Sequence, residues 1–228
     1  PTFSAQAARG ELSEMRHTLA ETLRMVFFLS VPATMGLLTL GRPLVALLFE
    51  RGEFTAAATQ EATWALAFFA LGLIGHAGLE IVARAFYALH DTLTPVLVGI
   101  AAMALNLILS LGLSLGFERL GLRPHAGLAL ANSIATLLEV ALLLLLIRRR
   151  LNGLAGRAMG ITLVKSTLAA LVMGGALLAW QHWGPTNVLL SVAGGLAIGG
   201  AIYLACAWLL RIDTLRTVTD ALLRRVRQ

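Results

Sequence analysis

Long apolar runs separated by short polar turns make up most of this chain. Six runs reach about 20 residues, the length a helix needs to cross about 30 Å of hydrocarbon. They lie at residues 24–48, 61–88, 95–116, 125–147, 160–182 and 188–210. Because an open strand leaves backbone groups unpaired in lipid, such runs are helices. The pattern therefore predicts an all-α integral membrane protein, a polytopic bundle of six transmembrane helices.

The polar ends of the chain suggest how it is organised. In the first 23 residues, Ala8, Leu12, Met15 and Leu19 recur at helical spacing among charged positions, which favours an amphipathic helix at the membrane surface over a plain solvated connector. We therefore divide the chain into four parts. These are an interfacial segment (1–23), four spans (24–150), a two-span hairpin (151–211) and a basic tail (212–228).

Composition supports the membrane assignment. Hydrophobic residues make up 58% of the chain and charged residues 13%, whereas soluble domains average about 25% charged. The only cysteine, Cys206, has no partner for an intrachain disulfide. The sequence contains no phosphate-binding glycine loop, zinc-protease motif or hydrolase serine motif. We therefore expect no enzymatic chemistry, no bound metal and no cofactor beyond a coupling cation.

The distribution of basic residues predicts the orientation. The N-terminal flank, the loop after the fourth run and the C-terminal tail together carry twelve arginines, against four on the opposite side. Cytoplasmic loops are the Lys/Arg-rich ones, so both termini are expected in the cytoplasm of a bacterial inner membrane. The net charge of +6 is then explained by attraction to anionic lipid headgroups, and no nucleic-acid partner is required.

Three polar residues recur every fourth position in the second run: His76, Glu80 and Arg84. Charges within a membrane helix are costly and usually mark a transport pathway. One interpretation is a self-neutralised Glu80–Arg84 pair near the membrane surface, with His76 a hydrogen-bonded bystander. The other is a polar face on a central cavity, where the guanidinium of Arg84 meets substrate phosphates and His76 joins a polar network.

Two further groups suggest ion coupling. Asn106 and Ser110 lie one turn apart in the third run, and Asn132 begins the fourth. Their oxygens suit a hard cation such as Na⁺, although helix–helix hydrogen bonds explain the same pattern. Glu139 lies in mid-run without a basic residue one turn away. It must face protein or water, or be protonated, which makes it a candidate for proton or cation coupling.

Turn and packing signals complete the pattern. Asp91-Thr92-Leu-Thr94-Pro95 predicts a helix start, with Asp91 or a threonine as the cap and Pro95 in the first turn; a His90–Asp91 catalytic pair is the less economical interpretation. Two small-residue pairs predict close helix packing. They are Gly112 with Gly116, and Gly195 with Gly199.

Three motifs resemble the MurJ/MviN family of lipid II flippases, within the MOP exporter superfamily. They are Arg84-Ala-Phe-Tyr-Ala-Leu-His-Asp-Thr-Leu-Thr-Pro95, the loop Leu48-Phe-Glu-Arg-Gly52-Glu-Phe-Thr55, and Asn106 followed by His125-Ala-Gly-Leu-Ala-Leu-Ala131. The resemblance is specific over roughly residues 1–150. It departs from the family at Glu80, where some relatives are basic, and at Glu139, where a neutral amide is expected.

The resemblance implies a fold, a function and a partner. The chain would form the C-terminal part, helices nine to fourteen, of a two-lobed transporter of about fourteen helices. Its partners would be undecaprenyl-linked lipid II, membrane lipids and an N-terminal lobe of the same polypeptide, consistent with a chain that begins at Pro1. That transporter flips the peptidoglycan precursor across the membrane by alternating access. The alternatives are an exporter of another polyprenyl-linked glycan or of a drug, and a membrane enzyme or structural subunit.

Overall fold

The computed structural model describes residues 2–215, and its regular elements in that range are helices. We number them α1 to α7 in chain order. They are α1 (Thr2–Ala8), α2 (Leu12–Phe49), α3 (Ala56–Ala88), α4 (Leu93–Arg119), α5 (Pro124–Arg150), α6 (Gly156–Trp183) and α7 (Val188–Leu209). Helices α2 to α7 are each long and apolar enough to cross a membrane. The predicted fold class is confirmed.

Five of the predicted spans coincide with α3 to α7, but the first one is longer than predicted. Helix α2 begins at Leu12 rather than near residue 24 and has 38 residues, roughly 57 Å at 1.5 Å per residue. Its charged first turns lower the hydropathy without ending the helix, because Glu and Arg are good helix formers. Hydropathy alone therefore placed the start of this helix too late.

The segment 1–23 does not form one separate helix but is divided between two helices. Residues 2–8 form the short α1, and residues 12–23 are the first turns of α2. The apolar stripe of those turns is buried in protein, with Met15, Leu19 and Leu23 fully inaccessible. Its helical spacing reflects packing against other residues rather than a lipid surface. The basic tail lies outside the described residues except for 212–215.

The helices group into two compact units. The first comprises the chain up to Val26 together with Leu71–Met159, and the second comprises Phe27–Ala70 together with the chain from Gly160 onward. The boundaries fall inside α2 and α3 and in the first turn of α6. The α6–α7 hairpin therefore shares its unit with the central and C-terminal part of α2, a grouping by space that differs from the sequential division into four spans and a hairpin.

In the first unit, α4 packs on α5 at a glycine that differs from the predicted pair. A Cβ placed on Gly127 would lie 2.8 Å from the carbonyl carbon and oxygen of Leu113, whereas one on Gly112 or Gly116 would meet nothing within 4 Å among the described residues. The close approach thus requires Gly127, in the third of the motifs above. Gly112 and Gly116 face open space in this part of the chain.

In the second unit, Gly195 and Gly199 do lie at close helix contacts. A Cβ on Gly195 would come 2.9 Å from a methyl of Leu40 in α2, and one on Gly199 would come 3.1 Å from a methyl of Leu177 in α6. The small residues therefore admit large aliphatic side chains from two different helices. Glycine–glycine contact between α6 and α7 is not what brings them together.

Candidate functional site

A polar stripe runs along one side of α3. His76, Glu80 and Arg84 are spaced by four residues, so the helix places them one above another, and all three are exposed. Arg84 donates a hydrogen bond to Glu80 Oε1 within the helix, and their side chains are 62% and 65% exposed. The predicted pair exists, and it is open to its surroundings rather than enclosed by the described helices.

At its His76 end, the stripe contacts α5. The side-chain amide of Asn132 lies 3.2 Å from Nε2 of His76. This contact is reached because α3 and α5 approach closely at Gly72, where a Cβ would come 2.6 Å from Ser133 Oγ. Asn132 therefore extends the polar face of α3. Sequence reasoning assigned it instead to a cation site.

The three proposed cation ligands are divided between two contacts. The hydroxyl of Ser110 donates to Oδ1 of Asn106 within α4, at 3.2 Å, whereas Asn132 pairs with His76. In residues 2–215, no group of three His, Cys, Asp or Glu side chains is placed to hold a metal ion. The observed hydrogen bonds are those expected from helix-stabilising polar residues.

Glu139 lies on α5 next to α4 and is partly exposed. Its Oε1 would be 3.3 Å from a Cβ at Gly99, so the absence of a side chain there leaves space for the carboxyl. Among the described residues, the carboxyl forms no hydrogen bond or ion pair. An unpaired carboxyl within an apolar span has to be solvated, neutralised or supplied with a partner.

Asp91 caps α4 and also reaches α5. Its Oδ1 accepts the backbone N–H of Thr94 at 3.0 Å and its Oδ2 accepts the Thr94 hydroxyl at 2.8 Å. Thr92 occupies the N-cap position without a side-chain cap bond, and Pro95 is buried in the first turn. Arg150, at the end of α5, lies 2.6 Å from Oδ2. The predicted cap is present, with an ion pair that the local motif did not indicate.

The Asp91 contacts predict how stability depends on pH. The Thr94 backbone and hydroxyl hydrogen bonds, and then Arg150, lower the pKa of this carboxyl below its ordinary value. A lowered folded pKa stabilises the protein above the ordinary pKa of about 3.9, and the contribution is lost as pH falls from there through the folded value. Asp91→Asn, whose amide oxygen still accepts from Thr94, should flatten that acid limb in a thermal-unfolding series.

Asp91→Ala is the matched comparison at this position. It removes the cap as well as the ion pair, so we expect it to be less stable than Asp91→Asn at pH 7 by about 0.5–2 kcal/mol. The ion pair itself contributes less, because the Arg150 side chain is 55% exposed. An acid limb of equal slope in the Asn variant and the parent would refute the assignment.

The loop between α2 and α3 is closed by local contacts around Gly52. Gly52 has φ +58°, a left-handed conformation that glycine adopts without strain. Thr59 donates across the loop to Glu50 at 2.7 Å, and Arg51, just before the glycine, donates to the carbonyl of Leu48 at 2.7 Å. The glycine of this motif is thus explained by the turn itself.

The sequence matches a known protein family. The family profile described as lipid II flippase MurJ matches residues 1–194, which reach into α7. A probable lipid II flippase MurJ of Vibrio cholerae is 31% identical over 96% of this chain and 42% of its own length. Its counterpart in Haemophilus influenzae is 34% identical over 74% of this chain and 31% of its own length.

A solved structure shares the fold. The chain aligns with a lipid II flippase MurJ in an inward closed conformation at a TM-score of 0.75 and 23% identity, covering 92% of this chain and 42% of that one. The chain thus spans about two fifths of the length of the Vibrio cholerae relative and of the solved structure.

Proposed function

The chain belongs to the lipid II flippase MurJ family, and from that premise we propose that it forms part of a transporter that moves lipid II across the bacterial cytoplasmic membrane. Support comes from the family profile, which covers all but the last part of the chain, and from the names of its relatives. Translocation breaks no bond, so the protein has only to bind a polar headgroup and expose it to each side in turn.

The observation that carries this proposal is the exposed ion pair of α3. Glu80 and Arg84 lie in an apolar helix yet remain more than half exposed. At mid-membrane each charge facing lipid would cost about 2.5–3.5 kcal/mol, which favours a stripe that faces water, headgroups or a polar part of the transporter. A planar guanidinium in such a cavity binds phosphate oxygens through paired hydrogen bonds. Arg84, with Glu80 and His76 beside it, is therefore the proposed contact for the anionic headgroup.

Two parts of the proposal concern the rest of the transporter. The chain spans 42% of its relative from Vibrio cholerae, so we propose that the N-terminal lobe comes from elsewhere in the same polypeptide. The excess of arginines in the two ends and in the loop after α5 supports the further proposal that both ends of this chain lie in the cytoplasm. We assign coupling to a monovalent cation or proton, with Glu139 as its carboxyl. The unpaired Glu139 supports this assignment.

Complementation tests the proposal. The complete gene that contains this sequence should restore growth to a strain depleted of its own lipid II flippase. An Arg84→Ala variant present in the membrane at the same level should fail, and Glu139→Gln should be impaired if that carboxyl couples transport. Failure of the parent gene despite normal membrane insertion would contradict the proposal and favour export of another polyprenyl-linked glycan.

A further inference from the structure

Helix α2 runs without interruption through two internal prolines, Pro32 and Pro43. Proline has no backbone N–H, so each one removes the hydrogen bond to the carbonyl four residues earlier. The two carbonyls left without their helical donor are those of Phe28 and Thr39. In an apolar, membrane-spanning helix no bulk water is present to replace these bonds, and an unpaired carbonyl is costly.

The first freed carbonyl is bonded by α7. The hydroxyl of Tyr203 donates to the carbonyl oxygen of Phe28 at 2.6 Å. Tyr203 is only 4% exposed and Phe28 is 1% exposed, and their rings pack with centroids 5.3 Å apart. The hydroxyl therefore replaces the backbone donor that Pro32 lacks, in a site closed to solvent.

The second freed carbonyl is bonded by α6. The side-chain amide of Gln181 donates to the carbonyl oxygen of Thr39 at 2.7 Å. This contact lies on the exposed side of the second unit, near the end of α6. Each of the two carbonyls that lost a helical donor to a proline thus accepts a hydrogen bond from a side chain. The two side chains come from the two helices of the hairpin.

Close packing between the two bonds brings the same helices together. A Cβ on Gly174 of α6 would lie 2.7 Å from the sulfur of Met35. Leu40, which is fully buried, fits against Gly195 of α7. The residues between Pro32 and Pro43 therefore pack against both helices of the hairpin, so the two donors fix a register that the apolar surfaces alone would define poorly.

We propose that Tyr203 and Gln181 are positioning residues that dock the α6–α7 hairpin on α2 by supplying the hydrogen bonds removed by Pro32 and Pro43. The hairpin and residues 27–49 of α2 then move as one body during transport. The docking itself is independent of the substrate. Only its consequence for transport rests on the proposed function.

A double-mutant cycle on thermal unfolding tests the docking. Tyr203→Phe should lower the Tm of the purified protein by about 3–6 °C, because the Phe28 carbonyl loses its replacement donor. Pro32→Ala returns the backbone N–H, so the same Tyr203→Phe change in the Pro32→Ala background should cost less than half as much. An equal loss of Tm in both backgrounds would overturn the proposal.

Gln181→Met with Pro43→Ala forms a second cycle at an exposed position, where misfolding is a smaller risk. The same non-additivity is expected there, and additive effects would overturn the assignment of Gln181. Tyr87→Phe is the control, since Tyr87 is the only other tyrosine, is exposed, and its hydroxyl has no partner among the described residues. It should leave the Tm unchanged.

Lipid II transport separates positioning from simple stabilisation. The Pro32→Ala/Tyr203→Phe variant should regain most of the lost Tm yet transport more slowly than Pro32→Ala, because its hairpin is no longer held at Phe28. Recovery of transport together with Tm would overturn the positioning role. If the parent itself does not transport, the proposed function fails, while the Tm cycles still decide whether the hairpin is docked as described.

Discussion

The double variant Glu80→Gln/Arg84→Gln is expected to insert and accumulate like the parent protein but to lose about 10- to 100-fold in lipid II transport. The variant leaves no unpaired charge in α3, so its insertion is not penalised. The expected loss corresponds to one charge-assisted hydrogen bond to phosphate, about 1.5–3 kcal/mol, at about 1.4 kcal/mol per tenfold change in rate. The measurement is transport per molecule of protein in the membrane.

The double variant decides between the two interpretations of the pair. If Glu80 and Arg84 only neutralise each other, as their hydrogen bond within α3 would allow, replacing both should leave transport at the parental rate, and the pathway assignment would be wrong. Arg84→Lys should have an intermediate rate, because lysine keeps the charge and loses the planar fork. Arg119→Gln, at the end of α4, is the control for general loss of positive charge.

The second large effect is expected at Gly127. Gly127→Ala places a Cβ 2.8 Å from the carbonyl of Leu113, and backbone cannot move aside as a flexible side chain would. Overpacking of this kind costs about 1–3 kcal/mol, and we expect a Tm lower by about 2–4 °C per kcal/mol. Separation of α4 from α5 would also disturb the surroundings of Glu139.

Gly112→Ala is the matched control for Gly127→Ala. Gly112 is also a helical glycine, in α4, but a Cβ there meets nothing within 4 Å among the described residues. Alanine at such a position should be neutral or stabilising by up to about 1 kcal/mol. Equal destabilisation by the two substitutions would mean that the close approach of α4 and α5 does not depend on Gly127.

The spans were predictable because their boundaries are set by local chemistry. Hydropathy located all six spanning helices, five of them with nearly correct bounds, and Asp91 and Pro95 marked the start of α4 as expected. The start of α2 was misplaced because charge lowers hydropathy without disfavouring a helix. The bounds of a helix differ from those of its apolar run wherever the helix continues beyond the membrane.

The contacts of the site could not be predicted in the same way. In a span that is apolar on all sides, the sequence pattern does not define which face meets a neighbour, so His76 and Asn132 were assigned to different groups although they are bonded. The Asp91–Arg150 contact had a usable signal. Both residues lie at helix ends that the alternating direction of the spans places on the same side of the membrane.

The prolines of α2 offered another signal that local reasoning did not use. Each proline inside a membrane helix creates a carbonyl that needs a donor, and the two hairpin runs contain polar side chains that can provide one. A search for donors in neighbouring spans would have included Tyr203 and Gln181 among the candidates. The same reasoning applies to any proline-containing span with polar residues in the helices that follow.

The central claim is that this chain is part of a lipid II flippase, and the leaflet in which lipid II resides tests it most directly. In cells depleted of their own flippase, lipid II in the outer leaflet can be measured by its cleavage with an externally added enzyme. Expression of the complete gene that contains this sequence should restore cleavage, and the Glu80→Gln/Arg84→Gln variant should not. Lipid II that stays protected despite membrane-inserted parent protein would contradict the account.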